Sequence, residues 1–199
     1  MAARADGTLL TRPQRLAWLR LIRSDNVGPV TFRQLLNRFG SAEAALDALP
    51  ALARNAGIGA RIASLAEAED ELGATEAMGG RLVGSGEPGF PPLLRYISAS
   101  PPLVTIAGGE RLDWSHTVGI VGARNASAAG QKMTQLLAGE LGAARYVVVS
   151  GLARGIDAAA HRAALSSGTV RCWRAVSTTF TRTRTFRSPK RSSTKVAPC

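Results

Sequence analysis

Between Thr117 and Gly168 the chain reads as strand, glycine loop, helix, strand, glycine loop, helix. The first strand is Val118-Gly-Ile-Val121, followed by Gly122-Ala-Arg-Asn-Ala-Ser127 and a helix to about Leu141. The second is Tyr146-Val-Val-Val149, followed by Ser150-Gly-Leu-Ala-Arg-Gly-Ile156 and a helix from Asp157. Two apolar strands alternating with helices predict a parallel sheet buried on both faces. Parallel strands in one sheet are joined by right-handed crossovers. Both loops then open at one edge, where open α/β sheets bind ligands.

The candidate site residues are Gly122, Arg124 and Asn125 in the first loop, and Ser150, Gly151, Arg154 and Gly155 in the second. Glycine lets backbone approach a ligand closely. Each loop feeds a helix N-terminus, whose free N–H groups and dipole favour an anion. Each holds one arginine, whose planar fork matches phosphate oxygens in pairs. The ligand this chemistry fits is a phosphate or a chain of phosphates. Neither loop carries G-x-G-x-x-G or G-x-x-x-x-G-K-[ST], which weakens dinucleotide and P-loop readings there. Ser150 lacks the G-x-S-x-G elbow of a nucleophile, so its hydroxyl is expected to bond a phosphate or the loop itself. Asp157 and His161 share a helix face. They are an acid–base pair or, more simply, a cap and a packed or exposed histidine. No catalytic group, cofactor or metal is expected, and Cys172 and Cys199 form no metal spacing.

The chain ahead of this core divides in two. Residues 1–80 read as a helical domain. Pro13 sits at a first helical position ahead of Leu16, Leu19 and Ile22. Asn26-Val-Gly-Pro29 is a turn before a helix with Phe32, Leu35, Leu36 and Phe39, stopped by Gly40. Ser41 caps a short helix through Leu49, which Pro50 breaks, and Gly57-Ile-Gly59 opens the last helix with Ile62, Leu65 and Leu72. The two glycine turns resemble helix-hairpin-helix hairpins, which offer N–H groups to DNA phosphates, although such turns also serve plain packing. Residues 81–170 are expected to form the sheet domain. It begins with a short strand Arg81-Leu-Val83, a helix from Pro91-Pro92 through Leu94 and Ile97, and a strand Leu103-Val-Thr-Ile106. Ser127 is expected to cap a helix bearing Met133, Leu136, Leu137 and Leu141.

Hydrophobic content of 45% supports a core, and no run approaches the roughly 20 apolar residues of a membrane span. A cytoplasmic protein is expected, since the start carries no apolar signal-peptide core. The formal net charge is +11, but eight of the 25 Lys/Arg and none of the 14 acids lie from Arg171 onward. The basic balance is therefore weak evidence for nucleic acid in the body of the chain.

Gly119-Ile-Val-Gly-Ala-Arg-Asn125, followed by Val148-Val-Ser-Gly-Leu-Ala-Arg-Gly-Ile-Asp-Ala-Ala-Ala-His161, closely resembles the DNA-processing protein A family (DprA, also called Smf). Gly86-Glu-Pro-Gly-Phe-Pro-Pro-Leu-Leu94 and Pro101-Pro-Leu-Val104 share the resemblance, which covers about residues 12–170. It implies an α/β fold: a Rossmann-like parallel sheet, here incomplete, behind a small all-helical domain of SAM or helix-hairpin-helix type. It also implies a non-enzymatic homodimer that binds single-stranded DNA and loads RecA onto it in natural transformation. Arg124 and Arg154 would line the DNA phosphate pocket. A grip on phosphate that leaves bases free binds without sequence preference and weakens with salt.

After Thr169-Val170 the family pattern stops, and a Ser/Thr/Arg-rich segment, residues 171–199, is expected to be a disordered basic tail. A frameshift explains it. Arg171 to Thr181, written in GC-rich codons and read two bases later, gives Val-Leu-Ala-Gly-Gly-Leu-Asp-His-Ile-Tyr-Pro, an apolar strand and glycine turn. Sequencing the gene decides the point. Such a chain would lose later strands, part of the DNA pocket and the self-association surface, and its activity would be in doubt. The competing readings are an inert gene product or a phosphoribohydrolase-like enzyme on the same core. The P-G-G-x-G-T-x-x-E signature of those enzymes is absent.

Overall fold

The computed structural model describes residues 9–57, 59–108 and 114–172. They fall into two compact units, Met1–Ser115 and His116–Cys199.

The first unit opens with α1 (Arg12–Arg23), α2 (Pro29–Phe39), α3 (Ala42–Asn55) and α4 (Leu65–Ala77). Thr11 and Gln14 form a capping box at the start of α1. Gly40, at φ 79°, ends α2 in the left-handed conformation that glycine adopts without strain. One core gathers Leu21, Phe32, Leu35, Ala45 and Leu46 from α1, α2 and α3. A second, on another stripe of α1, joins Leu16 and Leu19 to Ala68, Leu72 and Leu82.

Two expectations for the helices are corrected. Pro50 does not end α3, which runs on to Asn55. The buried stripe Ala42, Ala45, Leu46, Leu49, Ala53 continues past the proline, so burial outweighs the missing backbone donor. Nor does Gly57-Ile-Gly59 open α4: Ile58 lies outside the described residues, and the helix begins at Leu65 behind a Ser64–Glu67 capping box. Residues 61–63 instead bond to the turn after α1. Arg61 N–H donates to Asp25 Oδ2 at 3.0 Å, Asp25 N–H to the Arg61 carbonyl at 2.9 Å, and Ala63 N–H to Ser24 Oγ at 3.1 Å. With its polar groups satisfied there, the segment has no need of helix.

Strands β1 (Gly80–Gly84) and β2 (Leu103–Ala107) pair antiparallel, joined by a loop holding a short 3-10 helix, Pro92–Tyr96, where a helix through Ile97 was expected. Buried Glu87 ties this hairpin to the helices. Its carboxylate accepts from Arg15 Nη2 at 2.7 Å, from Arg15 Nη1 at 2.9 Å, and from Leu10 N–H at 3.0 Å. Gly84 N–H also donates to it. By its internal packing, the first compact unit extends to Ser115.

The second unit holds β3 (Thr117–Gly119), α5 (Ala128–Ala143), β4 (Val147–Ser150), α6 (Ile156–Ala163) and β5 (Thr169–Arg171). The strands are parallel in the order β3-β4-β5. Two right-handed crossovers stepping the same way put both helices on one face, where α5 and α6 pack together. Among the described residues of this unit, the expectation of burial on both faces is therefore corrected. Val148, facing the helices, is fully buried, whereas Val147 and Val149 on the other face are half-buried.

The large apolar residues of α5 do not form its buried stripe. Met133, Leu136 and Leu137 are exposed, Leu141 is half-buried, and the buried positions are Thr134, Ala138 and Gly142. Close approach of α6, with buried Ala159 and Ala160, selects small residues there. β5 completes a third strand at the point where the sequence pattern was expected to fail. The tail beyond residue 172 lies outside the described residues.

Candidate functional site

The two glycine loops leave the same sheet edge. The β3–β4 ladder pairs Gly119 with Val149 and is extended by Ile120 N–H donating to the Val149 carbonyl at 2.9 Å. The first loop then runs to Ser127, whose hydroxyl accepts from Gly130 N–H at 3.1 Å and caps α5 as expected. The second runs from Gly151 to Gly155 and enters α6 directly.

The loops interlock through two glycines. Ile156 N–H donates to the Ala123 carbonyl at 3.2 Å. A Cβ on Gly155 would fall 2.2 Å from that carbonyl oxygen and 2.6 Å from the Arg124 carbonyl oxygen. A Cβ on Gly122 would fall 2.6 Å from Ile156 Cγ1. Gly155 also holds φ 81° and ψ −123°, which side-chain-bearing residues rarely enter. The backbone of Arg124 thus lies against the residue next to Arg154. The structure brings Gly122, Arg124, Arg154 and Gly155 together at one rim, with both arginines exposed and Asn125, also exposed, one residue further along.

Other candidate side chains have structural partners. Ser150 is buried, and its hydroxyl donates to the Ile120 carbonyl at 2.7 Å, so it joins the loops. A Cβ on Gly151 would sit 3.0 Å from Asp157 Oδ2, which keeps this position small. Asp157 is not the N-cap, a place taken by Gly155. It lies in the first turn of α6, buried, with Oδ2 accepting from Ala153 N–H at 3.3 Å, and so clips the second loop from beneath.

His161 does not pair with Asp157. Its Nδ1 lies 2.8 Å from Thr169 Oγ1, and that hydroxyl donates to the Val148 carbonyl at 2.8 Å. The threonine's one proton is thereby committed, so Nδ1 carries the imidazole proton and donates it. Burial lowers the histidine pKa below its ordinary 6.5, outweighing the Ser150 backbone bond and the Asp157 charge. The histidine packed against β5 in this way braces helix and strand, while its Nε2 and Asp157 Oδ1 are buried with no hydrogen-bond partner among the described residues.

Sequence reasoning missed three features: the glycine interlock, the Asp157 clip, and Leu152, which holds φ 60°. The glycines of both loops were visible signals, but the contact between loops is long-range. Among the described residues, no group of three or more His, Cys, Asp or Glu is placed to hold a metal ion. No helix among them is long and apolar enough to cross a membrane.

Residues 12–74 match the family model described as a DprA-like N-terminal HHH domain, and residues 81–177 match that of DNA recombination-mediator protein A. The chain is 29% identical over 170 residues to Protein Smf of Synechocystis sp., covering 78% of this chain and 42% of that protein. It is 39% identical over 69 residues to DNA processing protein DprA of Bacillus subtilis, covering 34% of this chain and 23% of that one. The chain thus spans less than half the length of either relative.

Proposed function

The chain belongs to the DNA-processing protein A (DprA/Smf) family, and from that premise we propose that it binds single-stranded DNA through the two interlocked loops of its parallel-sheet unit. Arg124 and Arg154 supply paired donors to successive phosphates. Gly122, Gly151 and Gly155 let the backbone come close, Asn125 adds a polar contact at the rim, and Ser150 holds the loops in register. The observation that carries the reading is the contact between Gly155 and the Ala123-Arg124 backbone, which sets two guanidinium-bearing turns side by side. Phosphate contacts of this kind are independent of sequence and weaken as salt rises.

The reading is one of binding: Asp157 Oδ2 clips the second loop and His161 Nδ1 lies against Thr169, so each helps to hold the loops in place. By analogy with the recombination-mediator description of its family, the chain would act in the cytoplasm and present the strand to a RecA-type recombinase, as one half of a homodimer. The test is titration of fluorescent oligo-dT with the full chain and with the Arg124→Ala, Arg154→Ala double variant. Loss of most salt-sensitive binding in the variant is expected, and unchanged binding would remove the loops from the role. RecA filament growth on the same strand, with and without the chain, tests the mediator step.

A further inference from the structure

The two loops also carry exposed apolar side chains. Val121 is 88% exposed and Leu152 is 52% exposed. Two residues past the last paired couple of the β3–β4 ladder, Val121 and Gly151 leave the same edge, and Leu152 follows Gly151. Leu152 stands at φ 60°, a left-handed position where a branched side chain meets steric strain. Glycine or asparagine would occupy this turn more easily. The surroundings hold it there: Ala153 N–H is clipped by Asp157, and Gly155 is locked against Ala123. Strain of this kind gathers at ligand clamps.

We propose that Leu152, with Val121 on the neighbouring loop, is an apolar platform for the faces of unpaired bases, while Arg124 and Arg154 hold the phosphates. The proposal rests on the reading of the loops as a single-strand phosphate site. Unpaired bases expose flat apolar faces, and binding proteins usually cover them with aromatic rings. Neither loop contains an aromatic residue. An aliphatic side chain held rigidly outward covers the same surface and is equally indifferent to sequence. In a duplex those faces are stacked away, so this contact discriminates single from double strands, which phosphate contacts alone do not.

The test compares the full chain with its Leu152→Gly variant, which removes the side chain and relieves the strain. Leu152→Asn, also tolerant of positive φ, serves as a second variant. Each is titrated against oligo-dT, against a strand of equal length made of abasic residues, and against duplex DNA. Both variants should lose about five-fold in affinity for oligo-dT. Affinity for the abasic strand and duplex, and the salt dependence, should stay at wild-type values. Undiminished oligo-dT binding, or an equal loss on the abasic strand, overturns the platform. The Arg124→Ala, Arg154→Ala variant run alongside separates the two ideas. If it loses oligo-dT binding while Leu152→Gly does not, only the platform falls. If it too binds normally, the loop site falls with it.

Discussion

Gly155 and Gly40 hold nearly the same φ, 81° and 79°, for different reasons. Gly40 ends α2 with open space around it, so alanine there meets only the left-handed strain. Gly155 adds a collision with the Ala123 and Arg124 carbonyls. In urea denaturation Gly40→Ala should cost about 1 kcal/mol, and Gly155→Ala about 3 kcal/mol or more, with loss of DNA binding. Equal costs would mean the loops do not touch. Glu87 makes a different residue-scale prediction. Burial raises its pKa, but the Arg15 guanidinium and the N–H groups of Gly84 and Leu10 outweigh burial and hold it below the ordinary 4.5. The folded value lies below the unfolded one, so its stabilisation is present above about pH 4.5 and is lost as pH falls through the folded value. Glu87→Gln should therefore cost about 2 kcal/mol at pH 7, because it leaves half-buried Arg15 without its counter-charge. The gap from wild type should narrow in acid, as denaturation midpoints across pH 3 to 7 would show. His161 has the same sign: neutral in the fold, it contributes stability above about pH 6.5 that is lost as pH falls through the depressed folded value. His161→Asn, which keeps a donor toward Thr169, should flatten that part of the pH profile.

The elements divide into those that local sequence decides and those that partners decide. α1 and α2 carry their signals within themselves: a cap, a leading proline, an apolar stripe and, for α2, a terminal glycine. The two glycine loops were legible for a similar reason, since strand, glycine and helix follow one another directly. The existence and cap of α5 were legible but its buried face was not, because its most hydrophobic residues are not its buried ones. Met133, Leu136 and Leu137 are 56%, 55% and 47% exposed, while Ala138 is fully buried. Which stripe turns inward depends on how closely α6 approaches, and periodicity along one helix does not contain that distance. Leu136→Gln should accordingly change stability by less than about 0.5 kcal/mol, whereas Ala138→Leu, overfilling the contact with Val148 and Ala160, should cost about 1 to 3 kcal/mol. The reverse order in a denaturant titration would restore the Leu-rich stripe to the interior. The starts of α3 and α4 show the same division. Ser41 was readable as a cap, but the true start of α4 depends on Asp25 and Ser24 accepting bonds from a segment nearly 40 residues away.

At the scale of the whole molecule, charge separates two sources of DNA affinity. The candidate loops contribute two arginines, while residues 173–199 contain seven Lys/Arg and no acid. Each phosphate neutralised on a single strand contributes about −0.7 to the slope of log affinity against log salt. Binding through Arg124 and Arg154 alone should give a slope of roughly −1.4, from two such contacts. A tail acting by charge should give a steeper slope and no preference for single strands, because a duplex offers the denser row of phosphates. Two chains distinguish these sources: the full chain and one ending at Cys172, titrated with oligo-dT and duplex DNA from low to moderate salt. If the loops hold the strand, the shorter chain keeps a single-strand preference at the shallow slope, and the longer chain adds affinity for both DNA forms alike. If the shorter chain binds neither form, the affinity belongs to the basic segment, and the interlocked loops are only a way of packing two parallel-strand turns together.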